Sequence, residues 1–183
     1  MSATYCRIAP SHPLHGPYHD TEYGFPAEDE SVLFERLVLE INQAGLSWLT
    51  VLQKRAAFRA AFANYEVDRV ALFGERDVAR LLADPGIVRN RLKVAAVIDN
   101  ARAIQQLRQS HGSFQGWLEA HHPRTLEEWT RLFRGTFRFT GGLIVHEFLM
   151  SLGYLPGAHE PDCPVYKRVL VLAPPWSRTA RAN

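Results

Sequence analysis

The chain has 183 residues, 46% of them hydrophobic and 22% charged, with a formal net charge of +2. That is the ordinary balance of a soluble globular protein, and the size of one domain or of a compact pair of helical lobes sharing a core. No apolar run approaches the length of a bilayer span and the N-terminus lacks a charged-then-apolar signal pattern, so a membrane protein is excluded and a cytoplasmic location is expected.

The first thirty residues, 10–26 above all, carry His, Tyr, Gly and Pro without sustained periodicity. This predicts an irregular segment that something else must hold in place. Helical patterns then follow almost without interruption. Val32, Leu33, Leu37, Val38, Ile41 and Ala44 recur at three- and four-residue steps, an amphipathic helix with Asp29 or Ser31 as its N-cap. Gly45 fits the left-handed position that ends such a helix, and Ser47 can cap the next, whose apolar face is Trp48, Val51, Leu52, Phe58 and Phe62. Glu40 falls near the end of the first helix among apolar neighbours, where the helix dipole disfavours negative charge. A carboxylate there has either an arginine partner or a function.

Further along, residues 68–73 read as a short helix with Val67, Val70 and Leu72 inward, and 77–83 as another. Asp84, Pro85, Gly86, Ile87 and Val88 then lead into a long helix over 91–109, with Val94, Val97, Ile98, Ala101 and Ile104 on one side. Shorter helices are expected over 114–119 and 126–133, and a strongly apolar one over 141–152, carrying Leu143, Ile144, Phe148 and Leu149 and ending at Gly153. No strand alternation lasts more than a few residues. The run 169–172 is ambiguous, and the tail after Ala173 reads as mobile. The expected fold is a single all-α domain over 1–183.

The charge is unevenly placed. Residues 1–84 carry 8 Lys+Arg against 12 Asp+Glu, whereas 85–138 carry 9 against 4. The basic block either faces phosphates or is a solvated helix surface; 18 of the 21 basic residues are arginine, which favours bidentate phosphate contacts. The Pro-Gly turn between 81 and 97 offers backbone N–H groups at a helix N-terminus, suited to an anion, with Arg89 and Arg91 flanking it. Pro-Gly also ends many helices for steric reasons alone.

Two cysteines, Cys6 and Cys163, stand near opposite ends. A disulfide between them would be unusual in a reducing compartment, and two unrelated thiols are the plain alternative. His159 precedes Cys163 by four residues and His19 lies in the N-terminal segment, so the four make a Cys2His2 set of the kind that binds structural zinc. Such a clip would fasten both ends of the chain to each other. By spacing alone His12 and His15 are rival ligands.

Several segments together resemble the DNA-3-methyladenine glycosylase I family. They are Cys6, the run from Tyr18 through Tyr23 to Gly24, Leu39-Glu40, the block from Gln43 to Leu52, Gly86-Ile87-Val88-Arg89, Asn100-Ala101-Arg102, Phe137-Arg138-Phe139, and His159 with Cys163. The resemblance implies a helix-hairpin-helix glycosylase, with the hairpin over about 77–109 and the ends 1–30 and 154–173 clipped by structural zinc on Cys6, His19, His159 and Cys163. It further implies a monomer that acts on double-stranded DNA, flips out an alkylated base, most typically 3-methyladenine, and cuts its N-glycosidic bond with water. Glu40 maps onto the glutamate that hydrogen-bonds the base, Tyr18 and Trp48 onto stacking positions, and Gly45 and Leu46 onto the turn that probes the vacated stack. Tyr23 joins the pocket lining, and Gly86, Arg89 and Arg91 the DNA contact.

That assignment suits elementary chemistry. A base alkylated at a ring nitrogen is positively charged and already a good leaving group, and an aromatic cleft with one carboxylate favours such a cation. The family lacks the catalytic aspartate of other helix-hairpin-helix glycosylases, in keeping with a substrate that needs little acid–base help. Three positions depart from the family pattern: Ile8 stands where it has Trp, and His15 and His146 where it has Tyr. Losing ring faces weakens stacking, by about 1–3 kcal/mol per ring, so a DNA-binding relative with altered or lost catalysis is the second expectation. A third is a zinc hydrolase with an open metal position.

Overall fold

The computed structural model describes residues 4–179. Within them the chain is all-α, without a strand, in the order α1 (Tyr5–Ile8), α2 (His15–Thr21), α3 (Glu30–Gln43), α4 (Trp48–Ala61), a 3-10 turn (Ala63–Tyr65), α5 (Val67–Ala71), α6 (Glu75–Ala83), α7 (Arg91–His111), α8 (Phe114–His121), α9 (Leu126–Thr136), α10 (Gly142–Ser151), α11 (Pro164–Val171) and α12 (Pro175–Thr179). No helix among the described residues is long and apolar enough to cross a membrane.

Polar caps set the N-termini of α3, α4, α7, α8 and α9. Asp29, rather than Ser31, opens α3 by accepting from the Ser31 and Val32 N–H groups; Ser47 caps α4, Asn90 caps α7, and Thr125 with Glu128 forms a reciprocal box on α9. The main core runs from Leu33 on α3 to Tyr154 after α10, and α3 lies in its middle. Every residue of α3 from Leu33 to Asn42 is buried, so this helix is enclosed all round rather than amphipathic. That enclosure is what carries Glu35, Arg36, Glu40 and Asn42 into the interior.

Four local expectations are corrected and one ambiguity is resolved. The N-terminal segment is not irregular, since α1 and α2 form there; both are too short to show a period. The run 169–172 is the end of α11, and the segment after Ala173 contains α12, tied back by the Trp176 N–H to the Gly153 carbonyl at 3.1 Å; residues 180–183 lie outside the described residues. Leu72 is 84% exposed: at 100° per residue it lies opposite Val67 and Val70, which take the buried face of α5. Leu143 is 83% exposed: at 100° per residue it lies opposite Val145, Phe148 and Leu149, which take the buried face of α10.

Candidate functional site

The link between α3 and α4 is a tight turn, with the Leu46 N–H donating to the Gln43 carbonyl at 2.7 Å. Ala44 sits at φ −51°, ψ 113° and Gly45 at φ +82°, the pattern of a type II turn, whose third position needs glycine. A Cβ on Gly45 would meet nothing within 4 Å, so the demand is purely conformational. Buried Lys93 of α7 reaches across to the end of α3, its Nζ donating to the carbonyls of Asn42 at 2.9 Å and Ala44 at 2.6 Å. It supplies donors to carbonyls that a helix C-terminus leaves bare. Lys93→Met leaves them unpaired and is expected to lower stability by about 1–3 kcal/mol, read as a lower urea midpoint at unchanged m. An unchanged midpoint would show that the cation does not hold the turn.

Beside this turn lies a cavity of about 260 Å³ lined by Tyr5, Tyr18, Tyr23, Glu40, Gln43, Trp48 and Glu147. That is below the about 300–1,000 Å³ typical of drug-sized ligands, a volume for something small. A second hollow of about 570 Å³ shares Glu40, Gln43 and Glu147 and extends past Gly45, Leu46, Gly142 and Leu143, forming a mouth. The rings stand close and at varied tilts: Tyr18 to Trp48 at 5.1 Å and 59°, Tyr18 to Tyr23 at 5.8 Å and 36°, Tyr5 to Tyr23 at 5.4 Å and 79°. Arg36 pins Tyr18, donating to its hydroxyl at 3.1 Å with the guanidinium 4.9 Å from the ring centre. A larger hollow of about 740 Å³ between α6 and α7 has none of these aromatic walls, so size alone does not locate the site.

Glu40 has no hydrogen bond or ion pair among the described residues, although it is 96% buried and Arg36 stands one turn before it on α3. The arginines of α3 and α4 pair elsewhere, although the buried Arg36 Nε keeps no hydrogen-bond partner. Arg36 goes to Tyr18 and Glu22, Arg55 to Glu22 and Glu35, and Arg59 to Glu35. Burial, and then the Glu147 charge, push the Glu40 carboxyl up from 4.5 to about 8, against a smaller opposing pull from Arg36. The arginine-pair explanation for this carboxylate is therefore excluded by geometry.

The chain ends converge on a separate cluster. One ligand atom each from Cys6, His19, His159 and Cys163 lies within 4.8 Å of all the others. Cys6 Sγ is 3.7 Å from His159 Nδ1, and Cys163 Sγ is 3.7 Å from His19 Nε2 and 3.9 Å from His159 Nδ1. Bonds of about 2.3 Å to sulfur and about 2.0–2.1 Å to nitrogen give tetrahedral edges of roughly 3.3–3.8 Å, so the donor set fits one ion. The outward ring nitrogens are fixed: His159 Nε2 donates to the Tyr23 carbonyl at 2.7 Å and His19 Nδ1 to Asp20 at 2.6 Å. This leaves a lone pair on the inward nitrogen of each ring. Of the rival histidines, His12 accepts from the Leu14 and His15 N–H groups and His15 meets the Tyr5 hydroxyl at 3.2 Å; neither belongs to the cluster.

The remaining sequence-derived positions divide. Tyr18, Tyr23, Trp48 and Glu40 share the cavity, and Gly45 and Leu46 share its mouth. Ile8, His15 and His146 do not line it: Ile8 is 52% exposed, His15 stands behind Tyr5, and His146 turns toward Glu147 at 3.6 Å. Gly86 lies in the turn between α6 and α7, its N–H taken by Asp84, and the Leu92 and Lys93 N–H groups are taken by Asn90. The turn thus offers fewer free donors than its Pro-Gly sequence suggests. The basic block also splits, because Arg102 and Arg108 serve internal contacts while Arg89 and Arg91 are exposed and make no ion pair among the described residues.

Three lining residues went unread in the sequence. Tyr5 lies on a four-residue helix with no period to reveal it, and Gln43 sat inside a matched block without a role. Glu147 carried a usable signal, a carboxylate in a mostly apolar helix, the same signal that singled out Glu40.

The profile of the methyladenine glycosylase family matches residues 8–132, and this chain belongs to that family. It is 36% identical over 180 residues to DNA-3-methyladenine glycosylase 1 of Escherichia coli (strain K12), spanning 88% of this chain and 96% of the relative. It is 31% identical over 166 residues to DNA-3-methyladenine glycosylase of Haemophilus influenzae, spanning 80% and 89%. Among solved structures, a Tyr-to-Phe variant of 3-methyladenine DNA glycosylase I in complex with 3-methyladenine superposes with a TM-score of 0.81 at 31% identity, covering 89% of this chain and 97% of that one. The Staphylococcus aureus 3-methyladenine DNA glycosylase I gives 0.79 at 32%, covering 88% and 95%.

Proposed function

We propose that this protein is a monofunctional DNA glycosylase of base-excision repair, hydrolysing the N-glycosidic bond of an alkylated base, 3-methyladenine, turned out of duplex DNA. The observation that carries this reading is Glu40, buried and without an arginine, facing a small aromatic cavity. Tyr18, Trp48 and Tyr23 offer ring faces to a cationic purine, and Glu40 offers a charge-assisted hydrogen bond. Stabilising the departing base in this way is the chain's contribution, since alkylation has already weakened the bond. Leu46, 39% exposed at the mouth, fills the gap left by the flipped nucleotide.

The α6–turn–α7 unit acts as the helix-hairpin-helix that grips the DNA backbone, with Gly86 in its turn and exposed Arg89 and Arg91 on the phosphates. Alanine at Arg89 or Arg91 is expected to weaken duplex binding uniformly across sequences, lowering the slope of log K against log salt by about one each. An unaltered slope would remove that arginine from the contact. Cys6, His19, His159 and Cys163 hold a structural zinc ion, which supplies cross-linking of the two chain ends. Four protein donors leave a tetrahedral ion no open position, which argues against zinc-hydrolase chemistry.

The test is incubation with methylated duplex DNA. Release of 3-methyladenine above the spontaneous rate supports the proposal, and its absence with salt-sensitive binding retained would instead identify a DNA-binding relative that has lost catalysis.

A further inference from the structure

Glu147 lines the cavity from α10 rather than α3, and it shares both the cavity and its mouth with Glu40. The Tyr23 hydroxyl donates to Glu147 Oε2 at 3.1 Å, and His146 Nδ1 stands 3.6 Å from Oε1, so the side chain is held at the rim. Building on the glycosylase reading, we propose that Glu147 is a specificity-determining residue, a second carboxylate that acts with Glu40 to favour a base bearing positive charge.

With Glu147 beside it in one small cavity, Glu40 ionises at a higher cost. A cation placed between them relieves that repulsion, whereas a neutral base of the same outline does not. The charged and titratable groups around Glu40 are few. Arg36 lies on its own helix and is committed to Tyr18 and Glu22; Glu147 comes from α10; Tyr5 from α1, Tyr18 from α2 and Tyr23 from the segment after it present only neutral phenols, which burial keeps protonated. Among the described residues Glu147 is thus the one nearby group that adds negative charge, and Tyr23, fixed by the His159 contact to its carbonyl, sets where that charge stands.

The experiment compares the intact protein with Glu147→Gln, measuring kcat and KM for 3-methyladenine release from methylated duplex DNA between pH 5 and 9. Neutralising Glu147 lets Glu40 ionise more easily, so the inflection of kcat/KM is expected to move to lower pH by about one unit. At pH 9, where the parent presents two charges and the variant one, kcat/KM is expected to fall about tenfold. Superimposable pH profiles with equal rates at pH 9 would overturn the inference. A second measurement does not depend on activity: urea unfolding over the same range should show a smaller loss of stability with rising pH in the variant, and an unchanged curve also overturns it. If the parent protein releases no base, the glycosylase reading fails, and the unfolding series still decides whether the two carboxylates are coupled.

Discussion

Glu40→Gln is expected to end base release above the spontaneous rate and, at neutral pH, to make the protein more stable. The two effects share a cause. In the folded protein the Glu40 carboxyl holds its proton up to about 8, while in the unfolded chain it ionises near 4.5. Folding therefore takes up a proton at any pH between these values, and stability falls as pH rises from about 4.5 and levels off above about 8. At pH 7 that costs about 3 kcal/mol, from 1.36 kcal/mol per unit. Glutamine keeps the shape and abolishes the titration, so the variant should exceed its parent by an amount that is small at pH 5, grows to pH 8 and then stays constant. At about 2–4 °C per kcal/mol for a chain of this size, Tm at pH 7 should rise by roughly 6–12 °C. Urea and thermal unfolding at pH 5, 7 and 9, run beside the excision assay, check both halves. A variant no more stable than its parent at pH 9 would show that the carboxylate has a partner in the fold.

Removing the proposed zinc is expected to have the largest effect on stability. The cluster joins residues 153 apart in sequence, Cys6 and His159, and it lies next to the cavity rather than in it. Structural zinc contributes about 10–16 kcal/mol of apparent binding free energy in small peptides. Here the main core from Leu33 to Tyr154 is independent of the ion, so only the terminal segments should be released. Chelation, or Cys163→Ser, should then lower Tm by roughly 10 °C and open Arg7 and Arg168 to trypsin while α3 to α10 resist. Activity should fall with it, because Tyr5, Tyr18 and Tyr23 all belong to the clipped N-terminal segment. One zinc per chain by elemental analysis, lost in Cys163→Ser, would confirm the ligand set; a metal-free protein with full activity and unchanged Tm would refute it.

The sequence by itself determined the helical class, because apolar residues at three- and four-residue steps permit little else; it determined the end of α3 and the start of α4, because Gly45 and Ser47 are chemically specific for turns and caps, and it narrowed the start of α3 to Asp29 or Ser31. It also nominated Cys6, His19, His159 and Cys163, since donor type can be read without coordinates. Only the tertiary structure decided that Glu40 goes unpaired, for the allotment of Arg36, Arg55 and Arg59 to Glu22 and Glu35 depends on how α2, α3 and α4 cross. Tyr5 and Glu147 became wall residues for the same reason: a cavity is a relation among several helices, and no local pattern along one of them records it.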